Sequence, residues 1–220
     1  MTRIAVVGGH GQIARLMHPL LVDAGHIPMA LVRSGEQRAV VEALGAQARL
    51  LDIERSAVDG FVEAFTDCDA VVFAAGGGPD GNIERKRTVD LGGALKSIEA
   101  ARTVGIRRFV QVSAIGVDEP VAADAGDVWT AYVEAKRDAD AALRETDLDW
   151  TILRPGRLTD HAPTGLVALG PDVSRGNVTR ADVAAVLAAV LDRDDTVGQQ
   201  WNLVGGDVPI SAAIDAAVRG

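Results

Sequence analysis

The sequence predicts an α/β protein: a doubly wound, Rossmann-type parallel sheet covered by helices on both faces, with a small C-terminal lobe contributing to a substrate cleft. Three observations predict it. Short apolar runs alternate with longer stretches of helical period nearly from end to end. Residues 70–75 are almost continuously Ala, Val and Phe, as a strand covered on both faces requires. The stretches between strands are long enough for crossovers, whose preferred right hand winds helices onto both faces of a parallel sheet.

Taken in order, residues 3–7 read as a buried strand, 12–24 as a helix, 27–32 as a second strand and 37–44 as a second helix. Residues 48–51 give strand three, 57–65 a helix and 70–75 strand four. From 82 to 104 the residues Ile83, Val89, Leu91, Leu95 and Ile98 recur at helical spacing, followed by strand five at 109–112. A helix over 129–146 leads to strand six at 150–153, which Pro155 and Gly156 stop. Residues 156–180 hold four Gly and two Pro without strong period, a loop-rich segment suited to cap a cleft. A helix over 181–191, a last strand at 201–204 and a terminal helix at 211–218 complete a single domain spanning 1–220.

Composition narrows the function. The 220 residues, 48% hydrophobic and 24% charged, suffice for one well-buried core. A formal charge of −9, from 31 acids against 22 bases, disfavours nucleic acid and anionic membrane as partners and leaves a small molecule as the expected substrate. Cys68 is the sole cysteine, and the first apolar stretch, residues 4–7, is too short for a signal peptide or a membrane span, so a cytoplasmic protein is expected. Tyr132 is the sole tyrosine, and hence the one phenol available for chemistry.

Ligands in doubly wound sheets bind beyond the carboxyl ends of the strands. After strand one stands Gly8-Gly9-His10-Gly11-Gln12-Ile13-Ala14, with a helix opening inside it. Gly8 permits a tight turn, Gly11 lets a pyrophosphate approach the backbone and Ala14 lets the helix pack on the strand, the pattern of a dinucleotide loop. His10, Gln12 and Ile13 complete the loop at the helix N-terminus, whose free N–H groups and dipole favour phosphate. After strand two, Arg33-Ser34 stands where an NAD site carries an acid for the ribose 2′-hydroxyl, so NADP is favoured over NAD, with a solvated surface Arg as the alternative. Asp52-Ile53, after strand three, meets the adenine edge, or Asp52 caps a helix. Ala74-Ala75-Gly76, after strand four, lets a cofactor lie against backbone, although close packing also calls for small residues.

Tyr132 and Lys136 are four apart in a helical segment, on one face. An ammonium beside a phenol favours phenolate, so Lys136 is expected to lower the Tyr132 pKa and make it a general acid or base; an exposed helix pair is the alternative. Ser113 ends strand five on the same sheet edge, where its hydroxyl polarises a substrate carbonyl or simply caps a turn.

With these residues in place, the chain resembles the short-chain dehydrogenase/reductase superfamily, in its atypical NAD(P)H-binding branch of epimerase-, dehydratase- and reductase-like members. The resemblance spans nearly the whole chain: Gly8, Gly11, Ala14, Asp52, Ser113, Tyr132 with Lys136, Arg154-Pro155-Gly156, and Thr179 to Ala184 opening the late helix. It implies that the nicotinamide lies near Tyr132, Lys136, Pro155 and Gly156, with Leu158 a further contact. Tyr132 would exchange the proton, Ser113 orient the oxygen and Lys136 tune the tyrosine. Asp90 occupies the helix position of the superfamily's active-site Asn, as a catalytic member or a structural residue, and Ala114 replaces the second Ser found in many relatives. The expected activity is hydride transfer between NADP(H) and a small carbonyl, alcohol, quinone or flavin. The alternatives are an epimerase or dehydratase that uses the nicotinamide transiently and a non-enzymatic NADP sensor. A methyltransferase fits less well, since Arg33 stands where an acid should hold a ribose. No metal site is expected.

Overall fold

Nine strands order themselves β11-β8-β10-β6-β5-β4-β1-β2-β3 among the described residues, 1–78, 81–122 and 124–220, of the computed structural model. The strand β1 (Arg3–Val7) pairs parallel with β2 (Ile27–Val32) on one side and β4 (Ala70–Phe73) on the other. Strand order reverses there, which opens a crevice beyond the carboxyl ends of β1 and β4. The parallel run continues from β2 to β3 (Gln47–Leu50), and from β4 through β5 (Arg108–Val112) and β6 (Asp149–Pro155) to β10 (Gln199–Gly205).

The period of two in β1 builds two cores. Ile4 and Val6 point into one with Met17 and Leu21 of α1 (Gln12–Asp23) and Val183 and Leu187 of α7 (Arg180–Leu191). Ala5 and Val7 point into the other, with Phe61 and Phe65 of α3 (Val58–Phe65), Ile98 of α5 (Gly92–Val104) and Leu143 of α6 (Asp127–Arg144). A third, smaller cluster places Val41 of α2 (Gly35–Glu42) against Ala30 and Val32.

Two expectations are corrected and a third is refined. The sheet is not wholly parallel: β8 (Leu166–Gly170) runs antiparallel to β10, and β11 (Val208–Pro209) pairs antiparallel with β8 before α8 (Ile210–Arg219). The segment 156–180 is loop-rich but not strandless, because besides β8 it contains β7 (Arg157–Thr159) and β9 (Asn177–Thr179), which pair into a separate two-stranded sheet. Strands this short, broken by Gly and Pro, show no periodicity and exist through partners distant in sequence. The helix expected over 82–104 is three pieces, α4 (Ile83–Arg85), a π-helical stretch (Lys86–Leu91) and α5, and the widened turn buries Lys86, Val89 and Asp90.

Candidate active site

Beyond β1 and β4 lie two hollows that share Ala74, Ala75 and Gly76 as a common wall: a narrow one of about 210 Å³ and a wide cleft of about 1140 Å³. The glycine loop forms the lip of the narrow one. Gly8 adopts φ +81°, and a Cβ there would lie 2.7 Å from the Ala75 Cα, so this approach is open only to glycine. A Cβ on Gly9 would meet Ala30 at the same distance. The Gly11 N–H donates to Gly8 O at 2.8 Å, and α1 begins with no side-chain cap, leaving its first turn to an outside anion. Within α1, His18 Nε2 lies 2.7 Å from Gly9 O and holds the loop from below; burial lowers its pKa, so it is a neutral donor.

The other expected cofactor residues distribute unevenly. His10, Arg33, Asp52 and Ile53 line the narrow hollow with Gly8 and Gly11. Burial, then Arg15 and Arg33, lower the His10 pKa. Arg33 is exposed, its backbone N–H bonded to Gln37 Oε1 at 3.0 Å. Ser34 is outside the lining and caps α2, accepting the Gln37 N–H at 3.3 Å. Asp52 lines the hollow, and its carboxylate accepts the N–H groups of Glu54 and Arg55 at 3.0 and 3.3 Å in a turn rather than at the start of a helix, since α3 is preceded by Ala57. Ile13, Pro155, Gly156 and Leu158 line the wide cleft instead, and exposed Gln12 lines neither. Gly156 admits no side chain, as a Cβ would lie 2.2 Å from Gly176 O.

In the wide cleft the structure brings Ser113, Tyr132, Lys136 and Asp90 together. Lys136 and Asp90 form a buried ion pair, Nζ to Oδ1 3.3 Å, with side chains 6% and 1% exposed. Lys136 also donates to Val112 O at 3.1 Å, and Asp90 Oδ2 accepts the Gly77 N–H at 2.8 Å, fixing the chain after β4. Burial pulls the Lys136 pKa down, but Asp90, Tyr132 and Asp140 outweigh it and hold the ammonium above its ordinary value.

Two expectations about this group change. Burial raises the Tyr132 pKa above its ordinary 10.0, against the pull of Lys136 and with Asp90 and Asp140 adding to the rise, so the phenol stays protonated at neutral pH. Lys136 does pull it down, but burial, the larger cause, outweighs that pull. Ser113 donates its one hydroxyl proton to Asp140 Oδ2 at 2.7 Å, so in this arrangement it offers the cleft lone pairs rather than the proton that polarising a carbonyl needs.

Sequence reasoning passed over what lies behind that serine. Asp140, fully buried, also accepts from Gln111 at 2.7 Å and from Arg154 Nε at 2.9 Å, and Arg154 goes on to bond Asp118. Thus Arg154 holds the cleft wall together. Tyr132, Lys136 and Asp140 are spaced i, i+4, i+8, and that spacing was the available signal. Also unforeseen are Lys86, whose Nζ lies 5.9 Å from the Tyr132 ring centre, and Trp129, whose ring centre lies 5.5 Å from it.

A sequence model of NAD(P)H-binding proteins matches residues 8–194, from the glycine loop through α7. The chain belongs to this family. It is 37% identical over 213 residues, 96% of this chain and 98% of its relative, to YhfK of Bacillus subtilis, named as an uncharacterized sugar epimerase. The fold is similar to that of a Bacillus halodurans protein provisionally described as an NAD-dependent epimerase/dehydratase, with TM-score 0.90 and 38% identity over 98% of this chain and all of that one. It is also similar to the oxidoreductase ylbE from Lactococcus lactis, with TM-score 0.87 and 26% identity over 99% and 97% of the two chains. The glycine-only approach at Gly8 and the uncapped start of α1 suit the dinucleotide this family binds. No helix among the described residues is long and apolar enough to cross a membrane.

Proposed function

We propose that the protein is an NADP-dependent oxidoreductase that reduces a small carbonyl, quinone or flavin compound, with Tyr132 as proton donor. The observation that carries this reading is the meeting of Tyr132 with the Lys136–Asp90 pair on the wall of a cleft that shares Ala74 to Gly76 with the glycine-loop hollow. The loop and the first turn of α1 would hold the diphosphate, Arg33 a 2′-phosphate, and Lys136 the nicotinamide ribose. When bound, the nicotinamide supplies the hydride.

The chain's own work is protonation. Hydride addition to a carbonyl carbon leaves an alkoxide oxygen, and a phenol held protonated by burial gives it a proton. Lys136 then stabilises the phenolate, while Asp90 holds Lys136 and the loop after β4 in place. Because the Tyr132 pKa is raised, the donating form is complete below it, so reduction is flat through neutral pH and falls only above pH 10. Replacing Tyr132 with Phe is expected to lower kcat roughly 10²- to 10⁴-fold, with NADPH affinity by calorimetry unchanged within a factor of two or so. Near-normal turnover by the variant would remove tyrosine chemistry from the reading.

The description of the two Bacillus relatives favours one second reading, epimerisation, in which the hydride returns to the same carbon. It would show as inversion at a substrate carbon that keeps its own hydrogen, with NADP⁺ required and no net change in the cofactor.

A further inference from the structure

The chain as a whole is strongly acidic, yet among the described residues the wide cleft is lined by five cationic side chains, Lys86, Lys136, Arg157, Arg175 and Arg180, against two carboxylates, Asp90 and Asp127. Three of the cations are neutralised locally. Lys136 pairs with Asp90 at 3.3 Å, Arg175 with Glu119 at 2.8 Å and Arg180 with Asp160 at 2.8 Å. Arg157 and Lys86 have no carboxylate partner among the described residues.

Lys86 is the unusual one. Arg157 is exposed and solvated, whereas Lys86 is 6% exposed, sits at the start of the π-helical stretch and lies over the Tyr132 ring. Its ammonium gives one hydrogen bond to Gly78 O and has two N–H groups left. Burying a cation with no counter-charge among the described residues is costly, and Lys86 lines the cleft. Apart from Ser113 and Tyr132, the rest of the lining has no polar side chain, and Val128 and Trp129 are 38% and 47% exposed.

We infer that the cleft takes a carbonyl substrate with an apolar body and an acidic group, and that Lys86 binds this anion close to the reacting carbonyl. This rests on the oxidoreductase reading above for the carbonyl, but not for the anion. An ammonium with free donors gives a carboxylate charge-assisted hydrogen bonds that a neutral analogue cannot match, and Trp129 and Val128 supply the surface for the body.

The test compares matched probes on the NADPH-saturated protein. For turnover these are 4-carboxybenzaldehyde and its uncharged methyl ester; for binding, measured by calorimetry, they are 4-methylbenzoate and 4-methylbenzamide, which cannot be reduced. The wild type is expected to prefer the acid in both pairs by about tenfold or more. Lys86→Met should bring both ratios to within about twofold of one, and Lys86→Arg should keep most of the preference. Thermal unfolding and NADPH affinity of each variant verify its fold. Equal treatment of acid and neutral probe by the wild type, or an acid preference that survives Lys86→Met, overturns the inference. If neither aldehyde is reduced but 4-methylbenzoate still binds through Lys86, the anion site stands and the oxidoreductase reading falls. Reduction of both aldehydes without preference leaves that reading intact and sinks this one.

Discussion

The two hollows that share the Ala74 to Gly76 wall are built by different means. The narrow one is a backbone cradle: Gly8 and Gly9 stand where any Cβ would strike Ala75 or Ala30, and the loop's hydrogen bonds run between main-chain groups apart from the one that His18 gives Gly9 O. The wide one is walled by buried charge, with Lys136 against Asp90 and Arg154 against Asp140 joining α6 to the π-helical stretch and to β6. The glycines of the cradle sit in one short run of sequence, although what they make room for, Ala75 and Ala30, is distant in the chain, whereas the wall of ion pairs takes each partner from a different element, as Asp90 and Lys136 do. The first has one tolerable solution; the second can be altered pair by pair, as a substrate surface must be.

The largest effect that would sharpen this contrast is expected on the charged wall. Asp140 is fully buried and receives Arg154, Ser113 and Gln111. Replacing it with Ala leaves the Arg154 guanidinium half-paired in the interior, so Asp140→Ala should cost roughly 3–5 kcal/mol in urea unfolding. Asp118, half exposed, should take up little of that loss. A cost under about 1 kcal/mol would mean that the wall is held by packing rather than by charge.

The cradle should break next. Ala at position 8 must either hold φ +81° or flatten the turn, and its Cβ meets Ala75 backbone in the first case. Strain and overlap together amount to roughly 2–4 kcal/mol, and NADPH affinity should fall with stability if, as proposed, the same turn holds the diphosphate. Loss of stability with full affinity would separate the glycine from cofactor binding.

This difference in construction also decides what the sequence reveals. Gly8 to Ala14 follows a strand and opens a helix within seven residues, so both the loop and the sheet beneath it are legible. Tyr132 and Lys136 are legible because one helical turn joins them. Of their neighbours, Asp90 is legible through the family resemblance alone and Lys86 not at all, because both reach the cleft through a π-helical widening that an apolar period does not announce, and Asp140 matters only once β5 and β6 bring Ser113 and Arg154 to it. The short strands in 156–180 were hidden for the same reason: β9 is three residues long and owes its pairing to β7.

Arg33 is the one charged group on which the cradle's specificity is expected to turn. Removing a guanidinium that bonds a phosphate loses charge-assisted hydrogen bonds, so Arg33→Ser should weaken NADPH roughly 10- to 100-fold in titration. NADH, lacking the 2′-phosphate, should be affected far less. Equal weakening of both cofactors, or of neither, would return Arg33 to the solvated surface and leave the NADP preference without support.

The smallest effect tests whether the C-terminal lobe is tied down by charge like the cleft wall. Asp182, in the first turn of α7, exchanges hydrogen bonds with Thr179, the Asp182 N–H donating to Thr179 Oγ and the Thr179 hydroxyl to Asp182 Oδ2, both at 2.9 Å. The same carboxylate accepts the backbone N–H groups of Thr164 and Gly165 at 3.1 and 2.9 Å, pinning the chain that enters β8. Burial raises its pKa, but these donors prevail and hold it below the ordinary 3.8. A carboxyl more acidic in the native state binds fewer protons there than in the unfolded chain. Its contribution is therefore complete above about pH 4 and is lost as pH falls through the native value. Asp182→Asn should cost roughly 1–2 kcal/mol at pH 7 and progressively less below pH 4, so that the acid limbs of the two unfolding curves converge. Curves that stay parallel down to pH 2 would show that Asp182 serves as a neutral acceptor would, and that the lobe, unlike the wall of the cleft, is held without charge.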